Sequence, residues 1–198
     1  MKKEIKTKIN IEKWIWKGDL LFRCPIDSIL SGFYFEKSPK RKKEGYYIWK
    51  FNLPLVLLKE NIHFTFGERL KHGNGEFWTY NNILDSIPKV LEIEKEKLIK
   101  KENLEYLLGS CPENENLRLL EAKSYLYSIL DFDLSFKLCN QLEDIITKKE
   151  FNASWEIKML KNLKEFLDKS TDERKDLLSN NRIQTAKNLG LEKYLLTL

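Results

Sequence analysis

The hydrophobic pattern of this chain changes its period once, near residue 80, and that change limits the possible folds more than any other feature. Ahead of it, aromatic residues come in short runs broken by turn-forming residues. Behind it, Leu and Ile recur every three or four positions between charged residues. Seven of the eight glycines and all five prolines lie within the first 112 residues, which leaves the rest free to form uninterrupted helices. A period near two requires strands and a period near 3.6 requires helices, so the pattern predicts an α+β chain with its sheet in front.

In the front part, residues 32–36 and 46–51 are aromatic and flank a polar segment, 38–45, that contains Pro39 and Gly45. Two β-favouring runs around such a segment read as a hairpin with a long connection. In residues 62–66, Ile62, Phe64 and Phe66 alternate with His63 and Thr65, which predicts a strand with His63 on the opposite face from the apolar side chains. Residues 71–75 form a turn, and 76–80 supply a fourth strand. Residues 9–16, with Trp14 and Trp16 two apart, fit a strand or the start of a helix equally well, and 25–30 read as a short helix before Gly32. Rings this dense need a cover, so one face of the sheet should lie under helix.

The helical part begins at Asn82. Ile83, Ile87, Leu91 and Leu98 mark its first stripe, with Pro88 expected in a first turn or at a division. Helices are then expected over 116–130, over 134–147 with Asp133 as cap, over 153–167, and over 174–189 after a cap within 170–173, with Gly190 as the stop. The 116–147 pair is loosely like one tetratricopeptide unit, but no second copy follows at a fixed period. The fold class is therefore α+β: an N-terminal antiparallel sheet of three or four strands packed with a C-terminal bundle of about five helices. Residues 1–198 are read as one compact domain, with 1–80 β-rich and 81–198 helical.

With 198 residues, 42% of them hydrophobic, the chain has enough apolar surface for a substantial core. Its first residues are charged and no signal-like apolar run follows. The longest apolar stretch, 53–58, contains Pro54 and is far shorter than the roughly 20 residues that span a bilayer. Cys24, Cys111 and Cys139 are odd in number and widely spaced, which suits free thiols in a reducing cytoplasm. A cytoplasmic location without membrane association is the expectation. Net charge is +5 but unevenly placed: residues 1–80 carry 16 Lys/Arg against 9 Asp/Glu, whereas 81–198 carry 19 against 21.

A search for chemistry finds neither a phosphate-cradling glycine loop nor a CxxC pair. With only His63 and His72 to serve, no metal or cofactor site is expected. His63 has Glu60 and Glu68 nearby in sequence, but nothing in the sequence brings them together as a general base and its partner. The acids Glu113 and Glu115 near Cys111 oppose thiolate formation there. No catalytic residue is assigned. The conspicuous surface feature is the basic run of Lys37, Lys40, Arg41, Lys42 and Lys43, flanked by Tyr47 and Trp49. Cations beside rings fit a nucleic-acid site; a solvated loop that keeps a sheet edge from pairing is the plainer explanation. Lys40, Arg41, Lys42, Lys43, Tyr47, Trp49 and His63 are the candidate binding residues.

Residues 32–35, 46–49 and 63–70, joined to a helical tail that ends at 185–191, resemble small bacterial immunity proteins encoded beside secreted or contact-dependent polymorphic toxins. The resemblance implies a non-enzymatic partner that binds a toxin domain and blocks its active site. Inhibitors of nucleic-acid-cutting toxins tend to be acidic, so the basic front of this chain implies a toxin that is locally acidic or is not a nuclease. A nucleic-acid-binding accessory protein built on residues 37–43 is the alternative.

Overall fold

The computed structural model describes residues 3–38, 45–111 and 116–196, and among these the chain is α+β, with six strands and seven α-helices. Their order is α1 (Lys3–Lys8), β1 (Trp14–Lys17), β2 (Leu20–Arg23), β3 (Ile29–Lys37), β4 (Gly45–Pro54), β5 (Gly67–Arg69), β6 (Phe77–Thr79), α2 (Tyr80–Lys100), α3 (Leu104–Gly109), α4 (Leu117–Tyr127), α5 (Phe132–Thr147), α6 (Ser154–Leu167) and α7 (Thr171–Asn188). The chain divides into two compact units. One comprises Met1–Pro54, Ile62–Gly109 and Leu191–Leu198; the other comprises Leu55–Asn61 and Ser110–Gly190.

The first unit holds the whole sheet, antiparallel throughout, in the order β1-β2-β3-β4-β5 with β6 also paired to β4. The hairpin expected from residues 32–36 and 46–51 is its axis: β3 and β4 pair from Ile29↔Pro54 to Lys37↔Tyr46. The sheet has six strands where three or four were expected. The additional pair is β1 and β2, joined by a tight turn in which Gly18 takes φ +60°, a conformation glycine reaches without a Cβ penalty. Residues 25–30 are not helical, because Ile29 and Leu30 already belong to β3. Residues 62–66 are not a strand either. Phe64 lays its ring across the sheet, stacked on Trp49 at 4.3 Å between centroids and edge-on to Phe51 at 5.6 Å, so only Gly67–Arg69 pairs with β4.

Alternation along β3 and β4 sorts their side chains between two faces. Phe33, Phe35, Tyr46 and Ile48 join Trp14, Leu21 and Trp78 in one core with Ile5 and Ile9 and with Ile83, Ile87, Leu91 and Leu98 of α2. Helix thus covers one face, as the ring density required. The indole of Trp78 is fully buried and donates to the Leu70 carbonyl at 3.0 Å. Pro88 lies inside α2 and neither starts nor divides it. A proline here forfeits one ladder hydrogen bond, but the buried stripe continues on both sides of it and holds the helix to the sheet. Polar ties reinforce this packing: Lys50 of β4 meets Glu94 of α2 at 2.5 Å, and the Asn52 amide donates to the Leu98 carbonyl at 3.1 Å.

The second unit is built from α4 to α7. Leu120, Cys139, Leu142, Ile146, Met159, Leu163, Phe166, Leu167 and Leu178 form its core. Helices α4 and α5 meet at two small residues, where Ser124 Oγ donates to the Ser135 carbonyl at 2.9 Å and Ser135 Oγ returns the bond at 2.7 Å. The cap of α5 is Asp131, not Asp133: its carboxylate accepts from the Leu134 N–H at 3.0 Å. A cap must stand in extended backbone just before the first turn, whereas Asp133 lies within that turn. Ser170 and Glu173 form a reciprocal capping box on α7, and Gly190 takes the expected left-handed conformation, with φ +61°.

The Lys50–Glu94 pair gives the sheet unit a measurable pH response. Burial pushes the Glu94 carboxyl up, but the ammonium groups of Lys50 and Lys97 outweigh burial and hold it below the usual carboxylate range. Stability from a depressed carboxylate is complete above its unfolded pKa and lost as pH falls through the folded one. Urea unfolding should therefore show wild type losing stability more steeply than Glu94→Gln between roughly pH 5 and pH 3. Equal slopes would show that the pair contributes nothing.

Candidate recognition face of the sheet

The register that sends Phe33, Phe35, Tyr46 and Ile48 into the core turns Tyr34, Glu36, Tyr47 and Trp49 to the opposite face. There Tyr34 pairs with Trp49 and Glu36 with Tyr47. Strand β5 adds Arg69 opposite Trp49, and β6 adds Phe77 opposite Tyr47. Phe64 completes the group from the irregular segment before β5. Four stretches of sequence therefore converge on one patch of rings.

Arg69 organises it. Its guanidinium lies 4.3 Å from the Tyr47 ring centre and 4.6 Å from that of Trp49. It also reaches Glu76 at 3.3 Å and Glu36 at 3.5 Å. Glu36 in turn accepts from the Trp49 indole N–H at 2.9 Å, and Tyr47 meets Phe77 edge-on at 5.5 Å. The Trp49 ring thus contacts both the Phe64 ring and the Arg69 guanidinium. The patch remains open to solvent, since the side chains of Glu36, Arg69 and Glu76 are 40%, 31% and 44% exposed. Chemically it is a preorganised surface of aromatic area, one planar cation and two carboxylates.

Of the candidate residues from sequence, Tyr47 and Trp49 fall together in this patch. His63 lies one residue from Phe64, half-buried, with Nδ1 2.9 Å from Thr65 Oγ1. Of the two acids near it in sequence, Glu68 pairs with Lys50 at 3.0 Å and Glu60 is exposed. Lys40, Arg41, Lys42 and Lys43 lie outside the described residues; the strands they join end at exposed Lys37 and begin again at Gly45. The sequence reading missed Arg69, Phe64, Glu36 and Phe77. Pairing β3 with β4 in register would have placed Glu36 beside Tyr47, but Arg69 carries no periodic signal of its own.

Other chemically interesting groups are quiet. Burial pushes the thiols of Cys24 and Cys139 up, away from thiolate. Among the described residues no group of three or more His, Cys, Asp or Glu side chains is placed to hold a metal ion, and no helix is long and apolar enough to cross a membrane.

The Arg69–Trp49 contact should be energetically real. A double-mutant cycle with Arg69→Met and Trp49→Leu, read by urea unfolding, should give a coupling of about 0.5–1 kcal/mol. A coupling indistinguishable from zero would reduce the stack to mere proximity.

Comparison of this chain with protein-family models, with curated proteins and with solved structures returned no match.

Proposed function

We propose that this chain is a non-enzymatic binding protein that docks on another protein through the Arg69-centred patch of its sheet, in the manner of an immunity protein covering a toxin domain. The observation that carries this reading is the composition and order of the patch. Trp, Tyr and Arg are the residues most enriched where protein interfaces concentrate their energy, and here they are locked in place before any partner arrives. Preorganised side chains lose less conformational entropy on binding.

The same patch argues against nucleic acid as the partner of this face. A phosphate backbone approaching Tyr47 and Trp49 meets the carboxylates of Glu36 and Glu76, and Arg69 is already engaged by both. The basic run at Lys37, Lys40, Arg41, Lys42 and Lys43 follows Glu36 directly in sequence. It suits a protein partner with an acidic rim, where opposite charges speed encounter.

The test begins with tagged wild type in its native host, followed by reconstitution of any captured protein with purified chain. The expected result is a 1:1 complex that protects the amides of β3 and β4 from hydrogen exchange and that Arg69→Glu weakens by about tenfold or more. If the partner is a toxin, co-expression of wild type but not of Arg69→Glu should restore growth. A complex equally tight with Arg69→Glu defeats the proposal. So does recovery of RNA or DNA alone, with retention that falls steeply in salt and disappears when Lys40, Arg41, Lys42 and Lys43 are all changed to Ala.

A further inference from the structure

The helical unit contains a cleft of about 290 Å³ that neither the sequence pattern nor the sheet patch accounts for. One wall is Val56, Leu57, Leu58 and Lys59; the others come from Glu121, Ala122 and Tyr125 of α4, Asn162 and Phe166 of α6, and Leu177 and Asn181 of α7. The first wall is the turn and irregular segment that follows β4, and it is fixed at several points. The Lys59 N–H donates to Thr185 Oγ1 at 3.1 Å, Thr185 Oγ1 donates to the Leu57 carbonyl at 3.0 Å, and the Asn188 amide donates to the Lys59 carbonyl at 2.9 Å. The cleft is therefore a built feature of the unit and not a gap beside a loose strand.

Its polar groups are unequally satisfied. Glu121 is engaged by Arg118 at 3.2 Å, and Arg118 also lies 4.3 Å over the Trp155 ring. The Lys59 ammonium, by contrast, has no hydrogen bond or ion pair among the described residues, and neither do the side-chain amides of Asn162 and Asn181 or the Tyr125 hydroxyl. Lys59 is attracted by Glu121 and repelled by Arg118, and the three together sum to one positive charge; the cleft adds three uncommitted polar groups and walls of Val, Leu and Phe. Burial lowers the Lys59 pKa and pushes the Tyr125 hydroxyl up to about 12, so the phenol remains a donor at neutral pH.

We propose that this cleft binds a small free monocarboxylate with an apolar body, its carboxylate at Lys59 and its body against Phe166 and Leu177. One cation matches one negative charge; a phosphate dianion would leave charge uncompensated in a partly desolvated site. The volume lies at the lower end of the range for ligand pockets, which limits the occupant to a compact molecule. The site belongs to the helical unit alone and does not depend on the role of the sheet patch.

The test uses the full chain, amide NMR and 3-phenylpropanoate as probe, with its uncharged amide, inorganic phosphate and a short peptide ending in Phe for comparison. The expected result is a shift of resonances from 56–59, 121–125 and 177–181 by the carboxylate, with affinity at least about tenfold above that of the amide. Lys59→Met should abolish this preference, bringing the acid's affinity down to about that of the amide, and Leu177→Trp should block both by filling the cleft. In wild type the carboxylate affinity should fall as pH rises through the lowered Lys59 value while the amide affinity stays level, a readout that stands even if a variant fails to fold. The assignment is overturned if the carboxylate shifts no cleft resonance at millimolar concentration, or if acid and amide bind alike. It is also overturned if phosphate binds as well as the acid, or if only the peptide binds.

Discussion

The pairing of β3 with β4 is the constraint on which the sheet unit depends. Because side chains alternate across a strand, sliding one strand by a single residue would exchange its two faces. A slip of β3 would take Phe33 and Phe35 out of the core and put Tyr34 and Glu36 in; a slip of β4 would exchange Tyr46 and Ile48 for Tyr47 and Trp49. Either exchange is forbidden by the cost of exposing large apolar side chains of the core, and for β3 also by that of burying Glu36 without a full set of partners. Core and recognition face are thus one decision, taken once by the register. Strands β5 and β6 then share the remaining edge of β4, β5 at Trp49 to Phe51 and β6 at Gly45 to Tyr47, so each adds a side chain to a patch already laid out.

Much of this was legible in the sequence because it is local. The β3–β4 hairpin announced itself through two aromatic runs around a polar turn, and α4 to α7 through their stripes and caps. What escaped was non-local or ambiguous in period. Strands of four residues, as in β1 and β2, are too short for alternation to show. In residues 62–66 the alternation is real, but Phe64 spends its ring on the sheet face and not on an edge pairing. Asp131 and Asp133 offer the same side chain two positions apart, and only backbone geometry chooses between them. The cleft was invisible for a stronger reason: its walls come from an irregular segment and three helices, none of which signals a cleft on its own.

Charge in the sheet unit is less lopsided around the strands than the net count suggests. Arg23 pairs with Glu102, Lys50 with Glu94 and Glu68, and Arg69 with Glu36 and Glu76. These three strand cations are therefore offset locally, and the surplus of the first 80 residues rests on others, among them exposed Lys37 at the end of β3 and the four basic residues that follow Pro39. A surface that stacked nucleic-acid bases on Tyr47 and Trp49 would need its cations uncommitted and beside the rings. Here the cation beside the rings is committed to two carboxylates.

Arg69 and Lys59 show two ways in which one positive charge can serve recognition. Arg69 is stacked on two rings and bridged to two acids, so little of its charge is left to attract a partner; what it contributes is a fixed, planar shape, and guanidinium suits that role because its donors lie in one rigid plane. Lys59 is the reverse. Its ammonium carries a compact charge on a flexible stem and has lost part of its hydration to burial, which the attraction of Glu121 does not make good. A cation in that state is tolerated where the protein stands to recover the lost solvation from something that is not part of the chain.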